Sequence, residues 1–187
     1  MALRGFGNLA LTGVAQPLFG WQTTAAFRPS PDPFTGRLDP GSQNSSALVP
    51  LGANASYFRQ GDHVVIGASN TFQQGNTMAY DGGTVQQVNQ SASNILVTGL
   101  QRNHSASEWC ILALPCAEVN IQNGNSSTLY LGEDVTVGAS SQTLIETCYA
   151  TNLISIGSPA LANCIDTQKL WVQGSASNTV LPYILSI

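Results

Sequence analysis

The sequence has very few charged residues. Asp, Glu, Lys and Arg make up 9% of its 187 residues, whereas these four types supply roughly a quarter of an ordinary globular protein. Apolar residues still account for 43% of the chain, so a hydrophobic core can form. Much of the surface must therefore be uncharged, and such a surface loses little solvation free energy when another protein covers it. We expect a protein suited to assembly rather than to catalysis.

Basic clusters and long apolar runs are also lacking. The six Lys and Arg residues are scattered, and the formal net charge is −4. Because phosphate contacts dominate affinity for nucleic acids, we expect no direct binding to DNA or RNA. No apolar run reaches the roughly 18 residues of a membrane-spanning helix. Glycines also interrupt residues 5–13, where a signal peptide would need a continuous apolar stretch. We therefore predict neither membrane association nor a signal peptide.

The cysteines do not form a metal-binding pattern. No CxxC pair occurs among Cys110, Cys116, Cys148 and Cys164, and paired spacing of that kind is typical of structural metal sites. Cys110 lies in the apolar run 109–114, which predicts a buried, unreactive thiol. The sequence leaves open whether any of the four cysteines are paired.

Alternating apolar residues and frequent turn residues predict an all-β fold. We expect an N-terminal strand and extended arm (1–50), a small β-barrel-like module (51–114) and an antiparallel β-sandwich (115–187). The clearest predicted strands are 63–67, 84–88, 95–100, 109–114, 117–121, 129–132, 134–137, 153–156, 170–173 and 180–185. Asp81-Gly82-Gly83 is predicted to be a hairpin turn, and 142–151 is the one candidate helix.

Prolines define the predicted arm. Three of them fall within residues 29–33, which excludes a helix or a central strand there. We therefore predict an extended loop or arm over 16–46 that becomes ordered against a neighbouring subunit. Its candidate inter-subunit residues are Arg28, Pro29, Pro31, Pro33, Phe34, Arg37 and Pro40.

No catalytic, cofactor-binding or metal-binding residue is predicted. His63 and His104 are the only histidines. Asp62 precedes His63, but adjacent strand residues point to opposite faces, so we expect Asp62 to cap a turn. His104 lies in a polar stretch that predicts a solvated or backbone-bonded histidine.

Other motifs typical of enzymes are equally weak. The acid pair Glu133-Asp134 offers too few oxygens for calcium and is better explained by a turn. The sequence contains no Gly-x-Ser-x-Gly nucleophile elbow and no phosphate-binding glycine loop. Trp21, Trp109 and Trp171 could stack on sugars, although tryptophan in an apolar strand is more often part of a core or an interface.

Two stretches resemble virion proteins of tailed bacteriophages. Residues 57–104, which include Phe58-Arg59-Gln60-Gly61-Asp62-His63 and Ile95-Leu96-Val97-Thr98-Gly99-Leu100, are similar to small β-modules of such proteins. Residues 117–185, with Leu129-Tyr130-Leu131-Gly132 and Leu170-Trp171-Val172, resemble a minor structural protein of the same particles. The resemblance implies a structural virion component without enzymatic activity.

The leading hypothesis is a capsid decoration or cement protein located in the virion. Its expected partners are the major capsid protein or other virion proteins, and a homo-oligomer such as a trimer is expected. Two alternatives remain: a neck or tail component of the same particle, and a carbohydrate-binding adhesin. The sequence leaves open the position in the particle, the copy number and the symmetry.

Overall fold

A computed structural model describes residues 3–5, 9–11, 13–31, 45–73, 80–124, 127–157, 165–175 and 179–185. These residues form seventeen β-strands and three short 3-10 helices, and all the strand pairs in the named sheets are antiparallel. The all-β prediction is therefore confirmed. No helix among the described residues is long and apolar enough to cross a membrane. The 3-10 helices are Gly52–Tyr57, Ser69–Phe72 and Thr167–Lys169.

The strands, numbered along the chain, are β1 (Leu3–Gly5), β2 (Leu9–Ala10), β3 (Gln16–Pro17), β4 (Gly20–Gln22), β5 (Ser46–Pro50), β6 (His63–Gly67), β7 (Asp81–Asn89), β8 (Asn94–Thr98), β9 (Trp109–Leu112), β10 (Pro115–Cys116), β11 (Glu118–Asn123), β12 (Leu129–Gly132), β13 (Leu144–Cys148), β14 (Leu153–Gly157), β15 (Ile165–Asp166), β16 (Trp171–Gly174) and β17 (Thr179–Leu185).

The chain divides into two compact units. Unit 1 consists of Met1–Phe19, Gln73–Gly75 and Leu114–Ile187, and unit 2 consists of Gly20–Phe72 and Asn76–Ala113. This division differs from the three segments expected from the sequence. Residues 1–19 join the C-terminal part of the chain, and residues 20–50 join the central part.

Unit 2 is built on one six-stranded antiparallel sheet in the order β4-β9-β6-β7-β8-β5. Its core includes Val85, Ile95, Val97 and Ile111, none of which has measurable exposure. The expected hairpin turn at residues 81–83 is wrong, because these residues begin β7 and pair with β6. Gly83 is required there, since a Cβ atom would lie 2.5 Å from Cγ1 of Val97.

The first part of the expected arm, residues 16–31, takes part in the sheets. Gln16–Pro17 pairs with β16 and Gly20–Gln22 with β9. Beyond β4, the N–H of Thr24 donates to the carbonyl of Pro50 at 2.9 Å. The N–H of Ser30 donates to the carbonyl of Ser46 at 2.8 Å. Residues 24–30 therefore run along the outer edge of β5 and cover it.

Unit 1 contains a five-stranded sheet and a four-stranded sheet. The first has the order β1-β17-β11-β14 with β2 also on β17, and the second has the order β13-β12-β16-β3. Both sheets contribute to a buried core through Ile121, Leu131 and Trp171, each no more than 1% exposed. A short β10–β15 ladder completes the unit among the described residues.

Two local predictions in unit 1 are wrong. The candidate helix at 142–151 contains β13, which forms because residues 144–148 pair with β12 and bury Cys148. The expected strand at 134–137 is a turn. There the carboxylate of Asp134 accepts the N–H of Thr136 at 2.8 Å, and such local bonds compete with strand pairing.

Candidate functional site: a histidine between two carboxylates

The two histidines lie in different environments. His63 begins β6 with an exposed side chain, whereas the preceding Asp62 is buried. A carboxylate oxygen of Asp62 accepts the backbone N–H of Arg59 at 2.7 Å. This confirms that Asp62 caps a turn, and the two adjacent side chains do not form a catalytic pair.

His104 is buried, with 7% of its surface exposed, and both of its ring nitrogens face carboxylates. Nε2 lies 2.9 Å from Oδ2 of Asp81, and Nδ1 lies 2.6 Å from Oε2 of Glu108. Ionised carboxylates only accept hydrogen bonds, so both nitrogens must carry a proton. The arrangement favours an imidazolium ring. The prediction of a solvated or backbone-bonded histidine is wrong for the ring, which is buried and contacts two carboxylates. We call Asp81, His104 and Glu108 the histidine clamp.

Asp81 is the most heavily bonded member of the histidine clamp. Besides His104, its Oδ2 accepts the backbone N–H groups of Gln101 and Arg102, each at 2.8 Å. Burial tends to raise the pKa of Asp81, but the hydrogen bonds from His104, Arg102 and Gln101 outweigh it and leave that pKa below its usual value. The ionised carboxylate thus anchors the loop that follows β8 to the start of β7.

The charge on His104 follows from the same balance. Burial tends to lower the pKa of His104, but the hydrogen bonds to Asp81 and Glu108 and the attraction of both carboxylates outweigh it. The pKa of His104 is therefore raised above its usual value.

The histidine clamp also holds residues 23–31. Phe27 and His104 exchange two backbone hydrogen bonds of 3.1 and 3.0 Å. Their rings stack with centroids 4.9 Å apart. The side-chain hydroxyl of Thr23 donates to the carbonyl of Ser105 at 3.0 Å. The cluster therefore joins three segments of unit 2: the start of β7, the loop before β9 and the segment covering β5.

An open pocket of about 470 Å³ lies over the histidine clamp. Its lining residues are Ala26, Phe27, Arg28, Asn103, His104, Ser105 and Glu108. The hydroxyl of Ser105 lies 3.1 Å from Oε1 of Glu108, while both nitrogens of His104 are occupied by carboxylates. Because His104 has no nitrogen left to accept a proton, this arrangement is not a serine–histidine nucleophile pair. It acts as a structural clamp.

The sequence alone does not predict this cluster. Asp81 lies 23 residues before His104, and no spacing rule links them. Glu108 follows His104 by four residues, but the intervening chain is not helical, so helical spacing does not explain the contact.

The three cysteines that the structure describes, Cys110, Cys116 and Cys148, are buried. Within the described parts of the chain, no group of three or more His, Cys, Asp or Glu side chains could hold a metal ion. Burial raises the pKa of the Cys110 thiol, as expected for an unreactive core cysteine. Burial also raises the pKa of Cys148. Cys164 lies outside the described residues.

Only part of the candidate inter-subunit arm is described. Arg28 and Pro31 are exposed, and Pro29 is buried. Pro33, Phe34, Arg37 and Pro40 lie outside the described residues, so the inter-subunit role of the arm remains a prediction.

The three tryptophans have protein partners. Trp21 stacks in parallel on Tyr57 with ring centroids 4.6 Å apart, which covers one of its faces. The indole N–H of Trp109 donates to the hydroxyl of Ser69 at 3.0 Å. Trp171 is 1% exposed and belongs to the core, as its apolar strand predicts.

The fold and the clamp define an all-β protein of two units. No protein-family model matches the sequence, and no curated protein sequence matches it. Among solved structures, VP17, a capsid protein of bacteriophage P23-77, is similar at 9% sequence identity with a TM-score of 0.23. The alignment covers 96% of this chain and 70% of VP17. At this TM-score, no functional conclusion follows.

Proposed function

We propose that the protein is a non-enzymatic structural component of a tailed-phage virion, and specifically a capsid decoration or cement protein. The observation that carries this proposal is a surface poor in charge from which large apolar side chains protrude. Among the described residues, six are between 41% and 66% exposed: Val14, Leu48, Tyr80, Ile145, Tyr149 and Leu153. The whole chain contains only ten Asp or Glu residues and six Lys or Arg residues. Such a surface favours burial against another protein.

The histidine clamp supports the same proposal. Its charges are used to fix one loop and one extended segment of unit 2, and they leave His104 without a free ring nitrogen. Residues 24–30, fixed in this way, lead directly into the proline-rich stretch. We infer that the clamp gives that stretch a fixed point of departure toward a neighbouring virion subunit.

Quantitative mass spectrometry of purified virions of the phage that encodes the chain tests the proposal. A decoration protein is expected at a constant ratio to the major capsid protein, with many copies per particle. A neck or tail protein is expected in few copies, set by a six- or twelve-fold ring. Absence from washed particles, with the protein recovered in the soluble lysate, would reject a structural role in the virion.

A carbohydrate-binding adhesin is less well supported. Stacking on a sugar needs a free aromatic face, and one face of Trp21 is covered by Tyr57. Glycan-array binding that disappears in Trp21→Ala would favour the adhesin over the capsid hypothesis.

A further inference from the structure

Strand β14 ends the five-stranded sheet of unit 1. The strand order places β11 on one side of β14, and no strand among the described residues pairs with its other side. The uncovered edge of a sheet carries backbone donors and acceptors that can pair with another strand.

The register fixes which backbone groups of β14 point outward. The N–H of Asn123 donates to the carbonyl of Asn152 at 3.0 Å, just before β14 begins and in register with the β11–β14 ladder. Antiparallel pairs alternate between bonded and non-bonded positions. The even-numbered residues of β14 therefore bond to β11, and the odd-numbered residues direct their N–H and C=O groups outward. The outward groups belong to Leu153, Ser155 and Gly157.

This edge lacks the features that prevent strands from pairing. Soluble proteins usually protect an edge with proline, lysine, an inward charge or a bulge. The sequence of β14 is Leu-Ile-Ser-Ile-Gly, without charge or proline, and its register with β11 is unbroken. The carboxylate of Glu118, on β11, accepts the hydroxyl of Ser155 and does not belong to the edge strand. Leu153 is 65% exposed, and Tyr149, just before the strand, is 63% exposed.

We propose that β14 pairs antiparallel with β14 of a second copy of this chain about a two-fold axis at Ser155. In this register Ser155 bonds to Ser155 of the second copy, and Leu153 bonds to Gly157 at both ends. All outward N–H and C=O groups of the strand then find partners. The intervening non-bonded pairs place Ile154 opposite Ile156, a contact that favours β-branched side chains.

A second copy fits this edge better than a charged partner. Strand β14 has no charged residue, and the Glu118 carboxylate beside Ser155 is bonded within its own copy, where it accepts the Ser155 hydroxyl. The bonding pattern is self-complementary because the outward residues are spaced symmetrically about Ser155. The contact is small, so we expect weak association that becomes effective where many copies are held close together. This two-fold contact goes beyond the proposed function and differs from the trimer expected from the sequence.

Sedimentation of the full-length protein over a concentration series tests the pairing. The wild type is expected to show a monomer–dimer equilibrium. Leu153→Lys and Ser155→Lys should each weaken dimerisation by about tenfold or more, because lysines on an edge strand block pairing and a lysine at position 155 also lies opposite the same residue of the second copy. Val14→Lys changes an equally exposed apolar residue outside β14 and should leave the equilibrium unchanged. Circular dichroism establishes that each variant is folded.

Crosslinking tests the register. Ser155→Cys is expected to give a covalent dimer with a short bifunctional thiol reagent, whereas Ser91→Cys, on an exposed turn of unit 2, should not exceed the wild-type background. A wild type that remains monomeric at all concentrations overturns the proposal. Association that persists unchanged in both lysine variants, as a dimer or as a trimer, also overturns it.

Discussion

At the scale of single residues, the histidine clamp places two of the ten acidic residues of the chain on the ring of one buried histidine. His104 and Asp81 are buried, and Glu108 is only partly exposed. Removing one partner from a buried charged group leaves the others unpaired, and this costs more than the net value of the original contact.

We expect Asp81→Ala to lower the free energy of unfolding by about 3 kcal/mol, since it removes three hydrogen bonds and leaves a buried imidazolium with one partner. Glu108→Gln should cost less, because its side chain is 18% exposed and water can replace part of the contact. Chemical denaturation measures both values. Glu146→Ala, an exposed acid on β13, is the control, and a loss in Asp81→Ala no greater than in this control would contradict the assignment.

The clamp also predicts how stability depends on pH. Because the pKa of His104 is raised in the folded protein, the stability that His104 contributes is fully present below pH 6.5, its ordinary pKa. This stability is lost as pH rises through the raised pKa of the folded protein. Because the pKa of Asp81 is lowered in the folded protein, the stability that Asp81 contributes is fully present above pH 3.8, its ordinary pKa. This stability is lost as pH falls through the lowered pKa of the folded protein. Stability from the clamp is therefore greatest between these two limits.

Unfolding experiments on the wild type and His104→Gln from about pH 5 to pH 10 test this dependence. The stability advantage of the wild type should shrink as pH rises, because only the wild type loses a bound proton from the clamp. His63→Gln, which alters the exposed histidine, should not reproduce this change. A constant difference between wild type and His104→Gln over the whole range would show that folding does not raise the pKa of His104 and would contradict the assignment.

At the scale of elements, sequence patterns predict strands well where apolar alternation continues without interruption. Residues 63–67 and 129–132 are strands with the predicted bounds. The errors lie where local signals compete with pairing. The two glycines after Asp81 resemble a turn, but Gly83 is there to let β7 approach β8.

The candidate site was not predictable for a related reason. Asp81 was assigned to a turn and His104 to a polar loop, and their contact depends on the pairing of β7 with β8 and on the loop after it. Short-range patterns do not contain that information. The turn at Asp62, by contrast, depends on a contact to Arg59 only three residues away and was predicted correctly.

Two adjacent glycines of β7 offer a matched test of close strand packing. Gly83→Ala should destabilise the protein by about 1–3 kcal/mol, because overpacking forces side-chain and backbone shifts. Its new methyl group would lie 2.5 Å from Val97 and 2.6 Å from the carbonyl of Thr98. In Gly82→Ala the nearest atom is 3.9 Å away, so its stability should remain close to that of the wild type. Equal unfolding midpoints for the two variants would contradict this account.

At the scale of the whole molecule, scarce charge affects how any assembly responds to salt. Screening acts strongly on contacts between exposed charges, since the Debye length falls from about 10 Å at 0.1 M salt to about 3 Å at 1 M. An interface made of apolar side chains and backbone hydrogen bonds should be insensitive to that change.

For the proposed role in the virion, we therefore expect particles washed at low and at high salt to retain the same amount of this protein, within about twofold. Urea, which weakens apolar burial, should release it and serves as the positive control for detachment. Quantitative mass spectrometry of the pelleted particles provides the measurement. Selective loss at high salt would indicate that charged residues hold the protein in place.

The insertion of unit 2 between two parts of unit 1 has a consequence for biosynthesis. Strands β1, β2 and β3 pair with β17 and β16, which the ribosome produces more than 150 residues later. At an elongation rate of roughly 5–20 residues per second this delay is on the order of 10 s. During that time the first strands have no strand partners among the described residues already made. Unit 1 can thus be completed only after β17 has been synthesised, and a new copy does not reach its assembly-competent form before that point.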